Sequence, residues 1–241
     1  MKKALLLILL APMLAGCQTD KKGVQVNLTA AVRAYKQSLN RKPSREQVER
    51  LVASLSAEQL NDMGVLYERE GRLDKAEWAY QHAVWRNPRF VTGYVNLGNA
   101  LRKQDRTEEA LFRYRQAMSA DRANFDAANN FADLCAEKRV YLDEALGRLK
   151  PLARNPGPHR AYGLDTLGWL YHLTNDDASA AETLNAALAD PGAKDAGLRV
   201  TIHGHLARVY EALGRQVEAQ SQQAEAERLQ KQIEASNQPK G

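Results

Sequence analysis

The segment from Leu60 to Pro88 spaces its apolar and polar residues in the manner of two short amphipathic helices. Gly71 separates the two helices, and Pro88 ends the second. A pair of helices this short cannot bury its apolar side alone, so the pattern predicts neighbouring copies of the same unit. The apolar side of the pair carries Leu60, Met63, Gly64, Tyr67, Ala76, Tyr80 and Ala83.

Four sets of positions recur with the period of about 34 residues that is typical of helix–turn–helix repeats. The small residues of the first helices are Gly64, Gly98, Ala132, Gly168 and Ala207, at intervals of 34, 34, 36 and 39 residues. The small residues of the second helices are Ala76, Ala110, Ala145, Ala180 and Ala219. Bulky positions follow each set, as Tyr67, Leu101, Cys135, Tyr171 and Tyr210 and as Tyr80, Tyr114, Leu149, Leu184 and Gln223.

These slots resemble the tetratricopeptide repeat (TPR). The resemblance implies an all-α, helix–turn–helix solenoid of about five repeats. Two repeats depart from the pattern. The third has Ala128 in a bulky slot and one extra residue near 140–142. The fifth has His203 and Gln223 in normally apolar slots, as expected of a terminal, capping repeat.

Residues 1–16 have a basic start, an apolar centre and a small-residue end, which predicts a secretory signal peptide too short to span a membrane. The end, Leu14-Ala15-Gly16-Cys17, resembles a bacterial lipobox. That resemblance implies cleavage before Cys17 and lipidation of its sulfur with a palmitate-type anchor. The alternative is an ordinary signal peptide with a coincidental cysteine. Gln18, in place of Asp, points by analogy to the inner face of the outer membrane.

The rest of the chain divides into four predicted segments. Residues 17–27 form a lipidated tether, and residues 28–56 form capping helices over the first apolar face of the array. The TPR array with its C-terminal capping helix occupies residues 57–235, and residues 236–241 form a disordered tail. Ser56 and Gln59 have capping-box spacing and open the first repeat.

Composition and motifs point away from catalysis. The formal charge of +5 is mild and spread over both signs, so it does not suggest nucleic-acid binding. The chain has no HExxH, GxSxG or glycine-rich phosphate motif, and we predict no enzyme activity, cofactor or metal. His203 and His205 lie two residues apart, on different sides of a helix. Because the lipid occupies the sulfur of Cys17, Cys135 has no cysteine partner within the chain and is predicted to be a buried structural thiol, with an intermolecular disulfide as the alternative.

In TPR proteins the first helices line a groove that binds a partner, so the resemblance implies which residues face it. Asparagine side chains in such slots hold the backbone of an extended peptide by both donating and accepting hydrogen bonds. The fourth repeat adds an apolar patch, which is either a partner contact or a surface covered by the C-terminal extension. The predicted partner-binding residues are Asn96, Asn99, Lys103, Asn130, Tyr162, Trp169 and Leu173.

The sequence therefore predicts a non-enzymatic, lipid-anchored periplasmic scaffold that binds protein partners. The chain resembles TPR lipoproteins that assist envelope machines such as a type IV pilus and its secretin. Two other possibilities remain open: an adaptor for peptidoglycan hydrolases or proteases, and a glycan-binding component of exopolysaccharide export. TPR slots encode a fold and not a partner, so they do not choose among these roles.

Overall fold

The computed structural model describes residues 52–237, with the side chain of Asn237 excepted. Four predictions therefore lie outside the described residues, wholly or in part. They concern the signal peptide, the lipidation of Cys17 with its tether, most of the capping segment 28–56, and the last residues of the tail.

Within residues 52–237 the chain forms ten named helices joined by short turns and contains no strand. The predicted all-α fold is confirmed. Each consecutive pair of helices corresponds to one predicted repeat. The helices are α1 (Ala57–Arg69), α2 (Leu73–Arg86), α3 (Val91–Arg102), α4 (Thr107–Ala120), α5 (Phe125–Lys138), α6 (Leu142–Ala153), α7 (Arg160–Leu173), α8 (Asp177–Ala189), α9 (Ala196–Ala212) and α10 (Gln216–Asn237).

The internal contacts divide the chain into two compact units, one ending at Asn96 and the other beginning at Leu97. The division falls inside α3. The first unit contains α1, α2 and the start of α3, and the second contains the remaining helices.

In the first unit, α1 begins with the capping box that the sequence predicts. Gln59 N–H donates to Ser56 Oγ, and Ser56 N–H donates to Gln59 Oε1. A small core forms where Leu55, Leu60 and Met63 meet Ala79 and Ala83 of α2. Val52, Tyr67 and Phe90 pack against the edge of this core.

All ten small residues of the repeat pattern are buried. The glycines, however, face the bulky side chain of the second helix and not its alanine. A Cβ atom added at Gly98 would lie 2.5 Å from Tyr114 Cε1, and one at Gly168 would lie 2.6 Å from Leu184 Cγ. In the first unit Gly64 likewise faces the Tyr80 ring. The glycines thus make room for one large side chain per repeat.

A residue with positive φ occupies the turn inside every repeat. These residues are Gly71 (φ 71°), Asp105 (58°), Arg139 (55°), Asn175 (63°) and Gly214 (74°). Their spacing of 34, 34, 36 and 39 residues matches that of the small residues in the first helices. The extra residue of the third repeat is accommodated here, because Tyr141 also has positive φ (51°).

The fifth repeat places its two polar slots differently. His203 is 6% exposed, and its Nδ1 lies 2.6 Å from Gln222 Oε1, whereas Gln223 is exposed. Helix α10 continues to Asn237, two residues beyond the predicted end of the array. Leu229 and Ala226 are buried along it, so this extension packs on the fold at least that far.

Candidate protein-binding surface

Asn96 lies in the first unit, on α3, with its side-chain orientation fixed. Its Nδ2 donates to Asn61 Oδ1 of α1 at 2.9 Å. Asn61 is only 7% exposed, so this bond also satisfies a buried amide. Asn96 was predicted to bind a peptide backbone. In the structure its side-chain amide joins two neighbouring first helices.

Asn99 and Asn130 form a pair in the second unit. Asn99 Oδ1 accepts from the Tyr114 hydroxyl at 2.7 Å and from Asn130 Nδ2 at 3.0 Å. Burial raises the pKa of Tyr114 above its usual value, so the phenol stays protonated and acts as the donor. The Tyr114 ring is also the one that Gly98 accommodates. Core packing and amide orientation are thus linked through a single side chain.

This pair presents one donor group and one acceptor to a ligand. Both lone pairs of Asn99 Oδ1 are used, and no described residue pairs with its Nδ2. The converse holds for Asn130, whose Nδ2 is used and whose Oδ1 has no such partner. A donor beside an acceptor matches the C=O and N–H groups of an extended peptide.

Charged residues follow the amides along α3 and α5. The Arg102 guanidinium donates to Asp133 Oδ2 and to Glu137 Oε2, each at 2.7 Å. Contacts with Lys138 and Arg102 hold the pKa of Glu137 below its usual value. The predicted contact residue Lys103 is exposed, directly after the end of α3.

The aromatic patch of the fourth repeat lies on α7 and meets α9. The indole of Trp169 stacks on the His205 ring with centroids 4.4 Å apart and planes 11° from parallel. The Arg208 guanidinium lies 5.7 Å from the centroid of the same indole. The structure therefore covers part of Trp169 with the first helix of the fifth repeat, a contact that was neither of the two alternatives drawn from the sequence. Leu173 is also half-buried, while Tyr162 remains 40% exposed.

His205 is held in place by a second contact. Its Nδ1 lies 2.8 Å from Asp165 Oδ1, and Asp165 is 7% exposed. A second histidine, His172, lies 4.8 Å from the Trp169 ring and contacts Asp177. Trp169 is consequently flanked by two imidazoles, each oriented by a carboxylate.

Asp165 was not among the predicted residues, although the repeat register contains the signal for it. In the second, third and fifth repeats, the residue two positions before the small residue contacts the preceding first helix. Asn96, Asn130 and His205 occupy this position. Its partner lies either three positions before the preceding small residue, as Asn61 and Asp165 do, or one after it, as Asn99 and Trp169 do.

Cys135 is fully buried in α5. Burial raises the pKa of its thiol to about 12, because the thiolate would lose its hydration. A thiol that stays protonated is a poor nucleophile and a poor partner for disulfide exchange. The prediction of a structural thiol is consistent with this setting.

Two absences hold for the part of the chain that the structure describes. No group of three or more His, Cys, Asp or Glu side chains in it is arranged to hold a metal ion. None of its helices combines the length and the apolar character needed to cross a bilayer.

The paired helices, the buried small residues of each repeat and the positive-φ turns define the fold of TPR proteins. A family model described as the tetratricopeptide repeat matches residues 91–124, which is the second predicted repeat. TPR domains bind protein or peptide partners. A comparison with curated protein sequences finds no match.

Solved structures share the fold at low sequence identity. PilF of Pseudomonas aeruginosa has a TM-score of 0.61 at 18% identity, over 71% of this chain and 75% of its own. PilW, described as a widely conserved type IV pilus biogenesis factor, has a TM-score of 0.65 at 15% identity, over 73% of this chain and 78% of its own. YrrB, described as a TPR protein with an unusual peptide-binding site, has a TM-score of 0.58 at 16% identity, over 73% of this chain and 87% of its own.

Proposed function

We propose that this protein is a non-enzymatic scaffold that binds an extended segment of a protein partner on its first helices. The observation that carries the proposal is the oriented amide pair of Asn99 and Asn130. Tyr114 fixes the direction of the pair, so a donor and an acceptor stand ready for a peptide backbone. Groups oriented before binding lose little freedom when the ligand arrives.

The exposed ring of Tyr162 would supply side-chain selectivity. It stands on the first turn of α7, and α7 packs against α5, which carries Asn130. Tyrosine offers a large contact area with only two side-chain torsions to fix, which makes it a frequent contributor to binding energy. A partner segment bound by the amides would place an apolar residue against this ring.

Photo-crosslinking through an unnatural amino acid tests this placement in living cells. A benzoylphenylalanine at position 162 should capture a protein partner. The same residue at Phe112, an exposed aromatic position on the second helix α4, should not. Equal capture at both positions, or capture at 112 alone, would place the partner elsewhere.

The lipid anchor at Cys17 is part of the same proposal. Its basis is the lipobox-like sequence, and two or more acyl chains would hold the protein stably on a membrane. The wild-type protein should incorporate a palmitate analogue, and the Cys17→Ser variant should lose the label and appear in the soluble periplasmic fraction. Label retained on Cys17→Ser would rule out Cys17 as the lipidated residue.

Assembly of a type IV pilus or its secretin is the pathway we favour. The support is the structural likeness to PilF and PilW, which is a likeness of fold. Deleting the gene in its native host should reduce secretin multimers and surface pili, and expression of the wild-type protein should restore both. Normal pili after deletion would exclude a role in pilus assembly and would favour another envelope machine.

A further inference from the structure

Helix α2 carries an aromatic stripe on the side that faces away from α1. The stripe consists of Trp78, His82 and Trp85, spaced by four and three residues. Trp78 is 41% exposed and Trp85 is 67% exposed. The opposite side of the helix, with Ala76, Tyr80 and Ala83, is fully buried in the first unit.

The three rings are ordered against one another. The His82 centroid lies 4.1 Å from that of Trp78 and 4.9 Å from that of Trp85. His82 Nδ1 also lies 2.8 Å from the Trp78 carbonyl oxygen, which fixes the middle ring. The two indoles are therefore held in place while a large part of their surface faces outward.

The charge around the Trp85 end of the stripe is basic. Residues 82–90 contain Arg86 and Arg89 and no carboxylate. Both arginines are exposed, and Arg86 Nη2 additionally donates to the Val52 carbonyl oxygen at 3.4 Å. The chain that leads back to Cys17 therefore passes through Val52 beside this end of α2.

Exposed indoles next to arginines match the boundary between lipid headgroups and acyl chains. The indole ring is apolar over most of its area and keeps one N–H donor, so it partitions to this zone. Arginines at the same level attract anionic headgroups. A surface that binds an apolar peptide would not need arginines beside its indoles.

We propose that the outer face of α2, with Trp78, Trp85, Arg86 and Arg89, rests on the surface of a bilayer that contains anionic lipid. This inference rests on the proposed membrane anchorage. Cys17 precedes Val52 by 35 residues. The predicted tether, residues 17–27, reaches roughly 36–40 Å at about 3.3–3.6 Å per extended residue, which would let α2 reach the surface.

The three tryptophans of the chain, at positions 78, 85 and 169, make a direct test possible. A Trp169→Phe variant reports only the α2 stripe, and a Trp78→Phe/Trp85→Phe variant reports only the ring on α7. The chain from Cys17 onward is coupled through that thiol to a maleimide lipid. The lipid anchor is then present whether or not the cell lipidates Cys17. The buried Cys135 does not compete for the reagent.

The vesicles contain phosphatidylethanolamine, phosphatidylglycerol and a brominated phosphatidylcholine, whose bromine atoms quench nearby indoles. The Trp169→Phe variant should lose about half of its emission or more, and the Trp78→Phe/Trp85→Phe variant should lose little, since only interfacial indoles approach the acyl chains. Equal circular dichroism of the two variants checks the fold. Equal quenching in both, or none in Trp169→Phe, would overturn the inference. Because the anchor is attached chemically, that result is independent of whether the cell lipidates Cys17.

Discussion

At the scale of single residues, the small positions in the first helices are all buried. The glycines among them receive a ring or a branched side chain from the second helix. The sequence predicted that these positions are small and buried. It did not show what fills the space, because periodicity identifies a face of a helix but not the side chain that lies opposite.

Replacing Gly98 by Ala should therefore destabilise the protein. The new Cβ would lie 2.5 Å from the Tyr114 ring, which is fully buried and held by Asn99. Overpacking of this kind costs about 1–3 kcal/mol. Urea unfolding measures the loss.

Gly147→Ala is the matched control, because Gly147 lies inside α6 with no atom within 4 Å of the added Cβ. It should stabilise the protein by about 0.5–1 kcal/mol through helix propensity. A Gly98→Ala variant as stable as Gly147→Ala would contradict the close packing of Tyr114 at position 98.

The turn residues give a prediction of the opposite sign. Arg139 ends α5 with φ 55°, in a slot where two of the other repeats have glycine. Left-handed backbone costs an ordinary residue about 1–2 kcal/mol, and glycine loses part of that advantage in chain entropy. Arg139→Gly should raise the free energy of unfolding by about 0.5–1 kcal/mol.

Lys138→Gly provides the comparison, because Lys138 is the last residue of α5. Glycine there should destabilise, since it gains nothing from a left-handed conformation and lowers helix propensity. If thermal unfolding shows both glycine variants to be less stable than the wild type, the strain assigned to Arg139 is wrong.

At the scale of elements, α7 departs most from the sequence-based expectation. Its apolar character on nearly all sides was recognised, but two explanations were possible, a partner or the C-terminal extension. The structure supplies a third, in which His205 and Arg208 of α9 lie against Trp169. A polar residue at one position of α9 carries no apolar signal, so hydrophobic patterning could not reveal it.

Trp169 should accordingly contribute to stability through His205. Trp169→Ala should lower the free energy of unfolding by roughly 1–3 kcal/mol, as expected for a half-buried aromatic side chain. A double-mutant cycle with His205→Ala should give a coupling energy of about 0.5–1.5 kcal/mol. Tyr162→Ala, which removes an exposed ring, should change stability by no more than about 0.5 kcal/mol. A coupling energy near zero would mean that the two stacked rings contribute independently.

At the scale of the whole molecule, the repeat architecture was predictable because it is local. Each repeat specifies its own helix pair, its turn and its small residues, and five approximate copies reinforce one another. The amide pair was predictable as a set of slots, since Asn99 and Asn130 occupy equivalent faces of neighbouring first helices. The direction in which each amide points depends on a hydrogen bond from the Tyr114 hydroxyl of the neighbouring helix. The spacing of residues along the sequence does not predict that bond.

The repeat pattern does not explain the residues on the outer face of α2. The repeat explains why Ala76, Tyr80 and Ala83 are buried, and it places no requirement on Trp78 or Trp85. Residues that the fold does not need are the ones that are free to meet a membrane or a partner. Repeat proteins with the same slots consequently serve different functions.

The proposed binding of an extended partner segment across Asn130 and Tyr162 can be measured as the affinity of that segment for the purified protein. The segment captured by crosslinking at position 162 would be made as a synthetic peptide and titrated calorimetrically against four proteins. Tyr162→Ala should weaken binding about 30-fold, the equivalent of about 2 kcal/mol, and Asn130→Ala about fivefold. Phe112→Ala should bind as the wild type does, and all variants should keep its melting temperature. Unchanged affinity in Tyr162→Ala and Asn130→Ala, with both proteins folded, would rule out this binding surface.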